Sequence, residues 1–107
     1  MPNWIVVPAE GQGLRVGGSR PKQYREIAGR SMLDWTLSRL LPVPDLGRVV
    51  VCIAAEDQQF AQQRFSQHPQ VLRVAGGAER AESVMAGLRH VQGMAAPDDV
   101  VLVHDAA

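Results

Sequence analysis

The sequence predicts an α/β domain: a mostly parallel sheet with helices on both faces. Short runs rich in Val and Ile recur at Trp4–Val7, Arg48–Ile53, Val71–Val74 and Val100–Val103, apolar at consecutive rather than alternate positions. That is the pattern of strands buried on both faces. Helical periodicity separates most of these runs, and a strand-helix-strand rhythm makes neighbouring strands parallel. Every polar or glycine-rich cluster also falls just after a strand: Pro8 to Lys22, Gly76 to Ser83, and His104-Asp105.

The elements follow in order. After the first strand comes a long glycine-rich segment, and the first helix is expected to begin at Ser31. The Ser31 hydroxyl can cap the free N–H groups while Asp34, three residues on, completes a capping box. Leu33, Leu37, Leu40 and Leu41 then form one apolar stripe, which Pro42 and Pro44 end because proline lacks the N–H and clashes with the preceding turn. The second strand leads to a weaker helical pattern over Asp57 to Ser66, rich in glutamine. After the third strand a helix over Arg80 to Val91 sets Val84, Leu88 and Val91 on one side. The fourth strand is followed only by His104 to Ala107, where a loop and another helix would be expected. The pattern therefore reads as a sheet truncated after its fourth strand, with an edge or face left uncovered.

With 107 residues, 46% of them hydrophobic and 21% charged, the chain suits one domain able to bury a core. Eleven basic residues balance eleven acidic ones, so no long-range field favours a nucleic-acid backbone or an anionic membrane, and neither is expected as a partner. Cys52, the only cysteine, sits in the apolar run Val49 to Ile53, which suits a small buried hydrophobe and allows no intrachain disulfide. The N-terminal apolar run lacks a basic flank and a small-residue cleavage pattern, and no apolar stretch approaches bilayer length. A cytoplasmic location fits both.

Phosphate chemistry is the common thread of the clusters. In open α/β sheets ligands bind beyond the carboxyl ends of the strands, so the three clusters would meet on one edge. Pro8-Ala9-Glu10-Gly11-Gln12-Gly13-Leu14-Arg15 joins a glycine turn, whose backbone N–H groups can approach phosphate oxygens, to the cations Arg15 and Lys22. Pro21 stiffens the approach to Lys22. A dinucleotide fingerprint fails because Val16 stands where glycine is needed, and a Walker A loop fails because Ser19 follows Gly18 with no lysine between. Gly76-Gly77-Ala78-Glu79-Arg80-Ala81-Glu82-Ser83 places two glycines before a helix, whose N-terminus attracts anions. Asp105 offers a hard carboxylate for Mg²⁺ bridged to substrate phosphates. His68, His90 and His104 have no zinc-like spacing, and Ser83 has no evident base nearby in sequence.

At these residues the chain resembles the 2-C-methyl-D-erythritol 4-phosphate cytidylyltransferase family. The shared pattern is Pro-Ala-x-Gly-x-Gly-x-Arg, then Pro-Lys-Gln-Tyr, then Gly-Gly-x-x-Arg-x-x-Ser-Val-x-x-Gly-Leu, then His-Asp-Ala-Ala, in that order from Pro8 to Ala107. The resemblance implies a Rossmann-like nucleotidyltransferase fold, with residues 1–107 as its N-terminal, CTP-binding part. It implies transfer of CMP from CTP to 2-C-methyl-D-erythritol 4-phosphate with release of pyrophosphate. Arg15 and Lys22 match the family's transition-state stabilisers. Ala9, Gly11 and Gly13, with Pro8 and Gln12 in the same loop, match its triphosphate and base cradle. Gly77, Arg80 and Ser83 match further CTP contacts, Asp105 matches its Mg²⁺ ligand, and Ala106 borders the same pocket. Two positions depart from the pattern. Glu10 replaces an alanine, and its carboxylate opposes a triphosphate unless it turns to solvent or pairs with a cation such as Arg20; Ala78 stands where some members carry an aspartate. The resemblance places the acceptor-binding residues and a homodimerisation arm beyond Ala107, so the isolated chain is expected not to turn over. A cytidylyltransferase for ribitol 5-phosphate or another polyol phosphate, and a non-catalytic nucleotide-binding remnant, are the alternatives.

Overall fold

Strands β1 (Asn3–Pro8), β4 (Leu46–Ile53), β5 (Val71–Ala75) and β6 (Val100–Val103) form a parallel sheet in the order β5-β4-β1-β6. The computed structural model describes residues 2–9 and 22–106, with Lys22 through its backbone alone. The chain steps outward from β1 to β4 to β5, then crosses back to place β6 on the far side of β1. This reversal creates a topological switch point between β1 and β6, where open sheets of this kind take their ligands.

Both faces of the sheet are buried, as the unalternating strands require. Ile5, Val7, Val49, Val51 and Ile53 point to one side and pack with Leu33, Leu37 and Leu40 of α1 (Met32–Leu40). Trp4, Val6, Val50 and Cys52 point to the other and pack with Val91 of α2 (Arg80–Gln92). Cys52 is fully buried, the small hydrophobe the sequence suggests. The exception is β6, whose four residues are 37–48% exposed at the sheet edge. No helix among the described residues is long and apolar enough to cross a membrane.

Helix α1 starts as expected, with the Ser31 hydroxyl accepting the N–H of Asp34 at 3.0 Å. Asp34 does not close a capping box; its Oδ2 accepts the N–H of Arg64 at 3.1 Å instead. A hairpin of β2 (Glu26–Ile27) and β3 (Arg30–Ser31) precedes this helix and was not anticipated. Its turn places Ala28 at φ 54° and Gly29 at φ 81°, the left-handed pair that a two-residue hairpin needs.

The helix expected over Asp57 to Ser66 is absent. One short 3-10 turn, Phe60–Gln62, takes its place. Competing hydrogen bonds explain this: Asp57 Oδ1 caps the N–H groups of Gln59 and Phe60 as at a helix start, but Gln63 N–H closes onto Phe60 three residues back and Arg64 N–H goes to Asp34, so the helix is not continued. Side chains that offer the backbone such alternatives oppose helix propagation.

The buried line of α2 also differs from expectation. It runs through Ser83, Gly87 and Val91, and Val84 and Leu88 flank it partly buried. A Cβ on Gly87 would lie 2.5 Å from Val6 Cγ1 and 2.7 Å from Cys52 Sγ, so small residues let this helix sit close to the sheet. Beyond α2, Asp99 ties the start of β6 to β1. Its carboxylate accepts the Trp4 indole N–H at 2.9 Å and the Ala96 N–H at 2.8 Å, and these bonds, in that order, hold its pKa below the ordinary carboxylate range. A depressed value adds stability above the unfolded-state value, and that stability is lost as pH falls through the folded one. Acid should therefore lower the urea midpoint of the wild type more steeply than that of Asp99→Ala, and parallel pH profiles would remove this role.

Candidate nucleotide site

The carboxyl ends of β1, β4, β5 and β6 meet along one rim, and backbone hydrogen bonds set their spacing. Ala9 N–H donates to Cys52 O at 2.8 Å, Gly76 N–H to Ile53 O at 2.7 Å, and His104 N–H to Val6 O at 3.0 Å. Pro8 closes β1 and Ala9 follows it, both buried. From the 3-10 turn Lys22–Tyr24, the buried Gln23 donates its Nε2 to Ala9 O at 2.9 Å. This bond holds the turn carrying Lys22 against the exit of β1. Gly11, Gln12, Gly13, Arg15 and Glu10, with the Lys22 side chain, lie outside the described residues.

The second cluster is held by its own helix. Ser83 is fully buried, and its Oγ accepts the N–H of Gly77 at 3.1 Å. A Cβ on Gly76 would lie 2.6 Å from that oxygen, and one on Gly77 would lie 2.3 Å from Glu82 Cβ. Both glycines are thus needed for the loop to fold down onto α2. The helix N-terminus is less open to anions than the sequence suggests, because Glu82 Oε1 already accepts the N–H groups of Ala78 and Glu79, at 2.9 and 3.1 Å.

Charge on this rim is carried by side chains. Arg80 Nε lies 2.8 Å from Asp105 Oδ1, both residues being more than half exposed. The pair joins the first turn of α2 to the end of β6 across 25 positions of sequence. Ala106 is buried beside it, and its carbonyl accepts the Thr36 hydroxyl at 2.8 Å, which fastens the segment after β6 to α1. Gly77, Arg80, Ser83, Asp105 and Ala106 are therefore brought to one edge with Pro8, Ala9 and the Lys22 turn.

No three His, Cys, Asp or Glu side chains among the described residues cluster as a metal cage. A single hard carboxylate suits Mg²⁺, which commonly takes one or two carboxylates and completes its shell with water and substrate phosphates. Asp105 fits that role, with Oδ1 engaged by Arg80 and the exposed carboxylate facing solvent.

Sequence reading missed three supports of this rim. Gln23 and Tyr24 lie in the quoted Pro-Lys-Gln-Tyr segment, of which only Pro21 and Lys22 were singled out. Arg73 of β5 donates to the carbonyls of Ala54 and Asp57 at 3.0 and 2.8 Å, and nothing local in the sequence marks it.

Residues 4–107 match the profile of the 2-C-methyl-D-erythritol 4-phosphate cytidylyltransferase family. The chain is 48% identical over 105 residues to the enzyme of that name from Ectopseudomonas mendocina, covering 97% of this chain and 45% of the relative. It is 46% identical over 102 residues to the one from Vibrio vulnificus, covering 95% and 43%. A crystal structure of a 4-diphosphocytidyl-2C-methyl-D-erythritol synthase superposes with a TM-score of 0.80 at 33% identity, over 99% of this chain and 46% of that one. The Francisella tularensis cytidylyltransferase gives a TM-score of 0.77 at 29% identity, over 100% and 45%. The chain thus spans somewhat under half the length of these relatives.

Proposed function

Because the chain belongs to the 2-C-methyl-D-erythritol 4-phosphate cytidylyltransferase family, we propose that its rim binds CTP with Mg²⁺ for transfer of CMP to 2-C-methyl-D-erythritol 4-phosphate. The observation that carries the reading is the Arg80–Asp105 pair at the switch-point rim. It couples a cation suited to phosphate with a carboxylate suited to the metal that accompanies phosphate.

In the proposed reaction a phosphate oxygen of the acceptor bonds to the α-phosphorus of CTP. The bond from that phosphorus to the α,β-bridging oxygen breaks, and pyrophosphate leaves with the electron pair. A phosphomonoester has a second pKa of about 6, so near neutral pH the nucleophile is already charged and no general base is needed. Catalysis then consists of positioning and charge stabilisation. Arg15 and Lys22 are assigned the charge developing at the α-phosphorus. The backbone of Ala9, Gly11, Gln12 and Gly13 is assigned the triphosphate and base, and Pro8 fixes the loop's exit from β1. Asp105 is assigned Mg²⁺, which when bound neutralises phosphate charge. Gly77 and Arg80 face the nucleotide, and Ser83 positions Gly77 by holding its N–H. With the Glu82 carboxylate already holding the N–H groups of Ala78 and Glu79 just ahead of α2, Arg80 rather than the helix end is assigned to the phosphates.

Calorimetry of the 107-residue chain with CTP and Mg²⁺ tests this. CTP should bind in preference to UTP and ATP, and Arg80→Ala should weaken it about tenfold, the value of one charge-assisted hydrogen bond. Asp105→Asn should abolish the Mg²⁺ dependence of binding. Absence of saturable CTP binding, or binding indifferent to both substitutions, would overturn the assignment.

A further inference from the structure

A serine or threonine inside a helix ordinarily turns its hydroxyl back onto a carbonyl of the preceding turn. Ser38 of α1 does so, donating to Trp35 O at 2.7 Å. Thr36, on the same helix, does not. Its hydroxyl leaves the helix and donates to Ala106 O at 2.8 Å, 70 positions further along the chain. Threonine is also a weaker helix former than alanine or leucine, so nothing within α1 itself calls for it at this position.

The far end of that bond lies one residue from Asp105. Asp105 and Ala106 go to opposite layers of the domain. Ala106 is buried in the cluster that holds Leu33, Leu37 and Leu40 of α1, whereas the exposed Asp105 meets Arg80 of α2. Fixing the Ala106 backbone against α1 therefore fixes which way the Asp105 carboxylate faces. The neighbouring contacts do this less well. His104 N–H donates to Val6 O at 3.0 Å and so extends the β1–β6 pairing only to the residue before Asp105. His104 Nδ1 lies 2.8 Å from Asp105 O, but both residues are exposed and the bond stays within the segment, so it moves with it. The Arg80–Asp105 pair is more than half exposed on both sides, where an ion pair is weakly held. Among these ties, only the Thr36 hydroxyl joins the backbone beyond Asp105 to a helix.

We infer that Thr36 is a positioning residue for the metal: by holding Ala106 O against α1, it keeps the Asp105 carboxylate turned out onto the nucleotide rim. The inference rests on the assignment of Asp105 to Mg²⁺ proposed above. Thr36 bonds to the backbone behind the ligand and is assigned no contact with nucleotide or metal, so its loss should loosen the metal and spare the rest of the nucleotide site. Groups that orient a metal ligand from behind are worth about ten- to a hundredfold in metal affinity, and Thr36, acting at one remove through the backbone, belongs at the lower end.

Calorimetry of CTP binding to the 107-residue chain, without metal and across a Mg²⁺ series, tests this. Free CTP takes up Mg²⁺ equally in every sample, so a shift between variants reports the protein's own ligand. Thr36→Val keeps the branched shape and loses the donor; it should raise the half-maximal Mg²⁺ concentration about tenfold and leave metal-free CTP affinity within about twofold. Thr36→Ser keeps the donor and should restore the wild-type value. Thr36→Ala, the better helix former, should repeat the loss in a chain whose helix is not weakened. A general loosening of the fold would instead weaken CTP equally with and without metal, and that result would overturn the inference. So would a serine form no better than the valine form. If Asp105→Asn leaves the Mg²⁺ dependence intact, the metal assignment fails and the role of Thr36 falls with it. If Asp105→Asn abolishes that dependence while Thr36→Val leaves it unshifted, the inference about Thr36 fails alone.

Discussion

Gly87→Ala should lower the stability of the fold by about 2 kcal/mol, although alanine normally favours a helix interior over glycine by about 1 kcal/mol. The reversal comes from packing. The new Cβ would sit 2.5 Å from Val6 Cγ1 and 2.7 Å from Cys52 Sγ, and both partners are fully buried in the middle of the sheet. Val6 is β-branched on a central strand and has few rotamers to escape into. Helix α2 must therefore lift away, which loosens Val91 and the Gly76-Gly77 loop at its other end. For a domain of this size the loss corresponds to about 10 °C in the unfolding midpoint. A larger side chain, as in Gly87→Val, should leave little folded protein. Shortening the opposing residue should restore part of the loss, so Gly87→Ala with Val6→Ala should be less unstable than the sum of the single changes. A higher midpoint for Gly87→Ala alone would show that α2 does not approach the sheet this closely.

This close approach explains why the face of α2 was misjudged from sequence. Periodicity finds the most apolar stripe, Val84 to Leu88 to Val91, whereas burial here follows smallness. Ser83 and Gly87 face inward because the helix lies nearly against the strands, and Val84 and Leu88 close its flanks. The strands were legible because each is apolar on both faces, a pattern that nothing else in the chain imitates. Helix α1 was legible because Ser31 marks its start and two prolines its end. The β2-β3 hairpin was not, since two-residue strands carry no periodicity and only Ala28-Gly29 hints at the turn.

The candidate site was legible as positions rather than as contacts. Strand ends are readable, so Ala9, Gly77 and Asp105 could be assigned to one rim before any geometry was known. The Arg80–Asp105 pair joins residues 25 apart, and the Gln23–Ala9 bond depends on how a loop folds back; neither leaves a local trace. The α2 N-terminus looked like an open anion site because a sequence does not show which carboxylate has reached back to occupy it.

Asp57→Ala should cost about 3 kcal/mol, the most of any single polar substitution away from the rim, because one carboxylate supports three donors. Oδ1 accepts the N–H groups of Gln59 and Phe60 at 2.8 and 2.9 Å, and Oδ2 accepts the Tyr24 hydroxyl at 3.0 Å. Removing it frees the turn leading into Phe60–Gln62, whose first N–H groups it caps, and it leaves the buried phenol unpaired. The bond to Tyr24 gives this substitution a readout beyond stability. Burial, then the Asp57 carboxylate, pushes the Tyr24 phenol well above the ordinary value of about 10. An acid whose folded-state value is raised stabilises the fold fully below the unfolded value, and that stability falls as pH climbs past it. Wild-type stability should accordingly decline above pH about 10, and Tyr24 should ionise only as the chain unfolds. In Asp57→Ala the alkaline decline should be shallower, because burial alone then holds the phenol neutral. Ultraviolet titration of the phenolate alongside a urea midpoint series measures both quantities. An Asp57→Ala protein as stable as wild type, with an unchanged alkaline profile, would show that the carboxylate holds neither the turn nor the tyrosine. Tyr24→Phe completes the comparison: it should retain the turn, lose about 1 kcal/mol for one hydrogen bond, and show no alkaline step from this site.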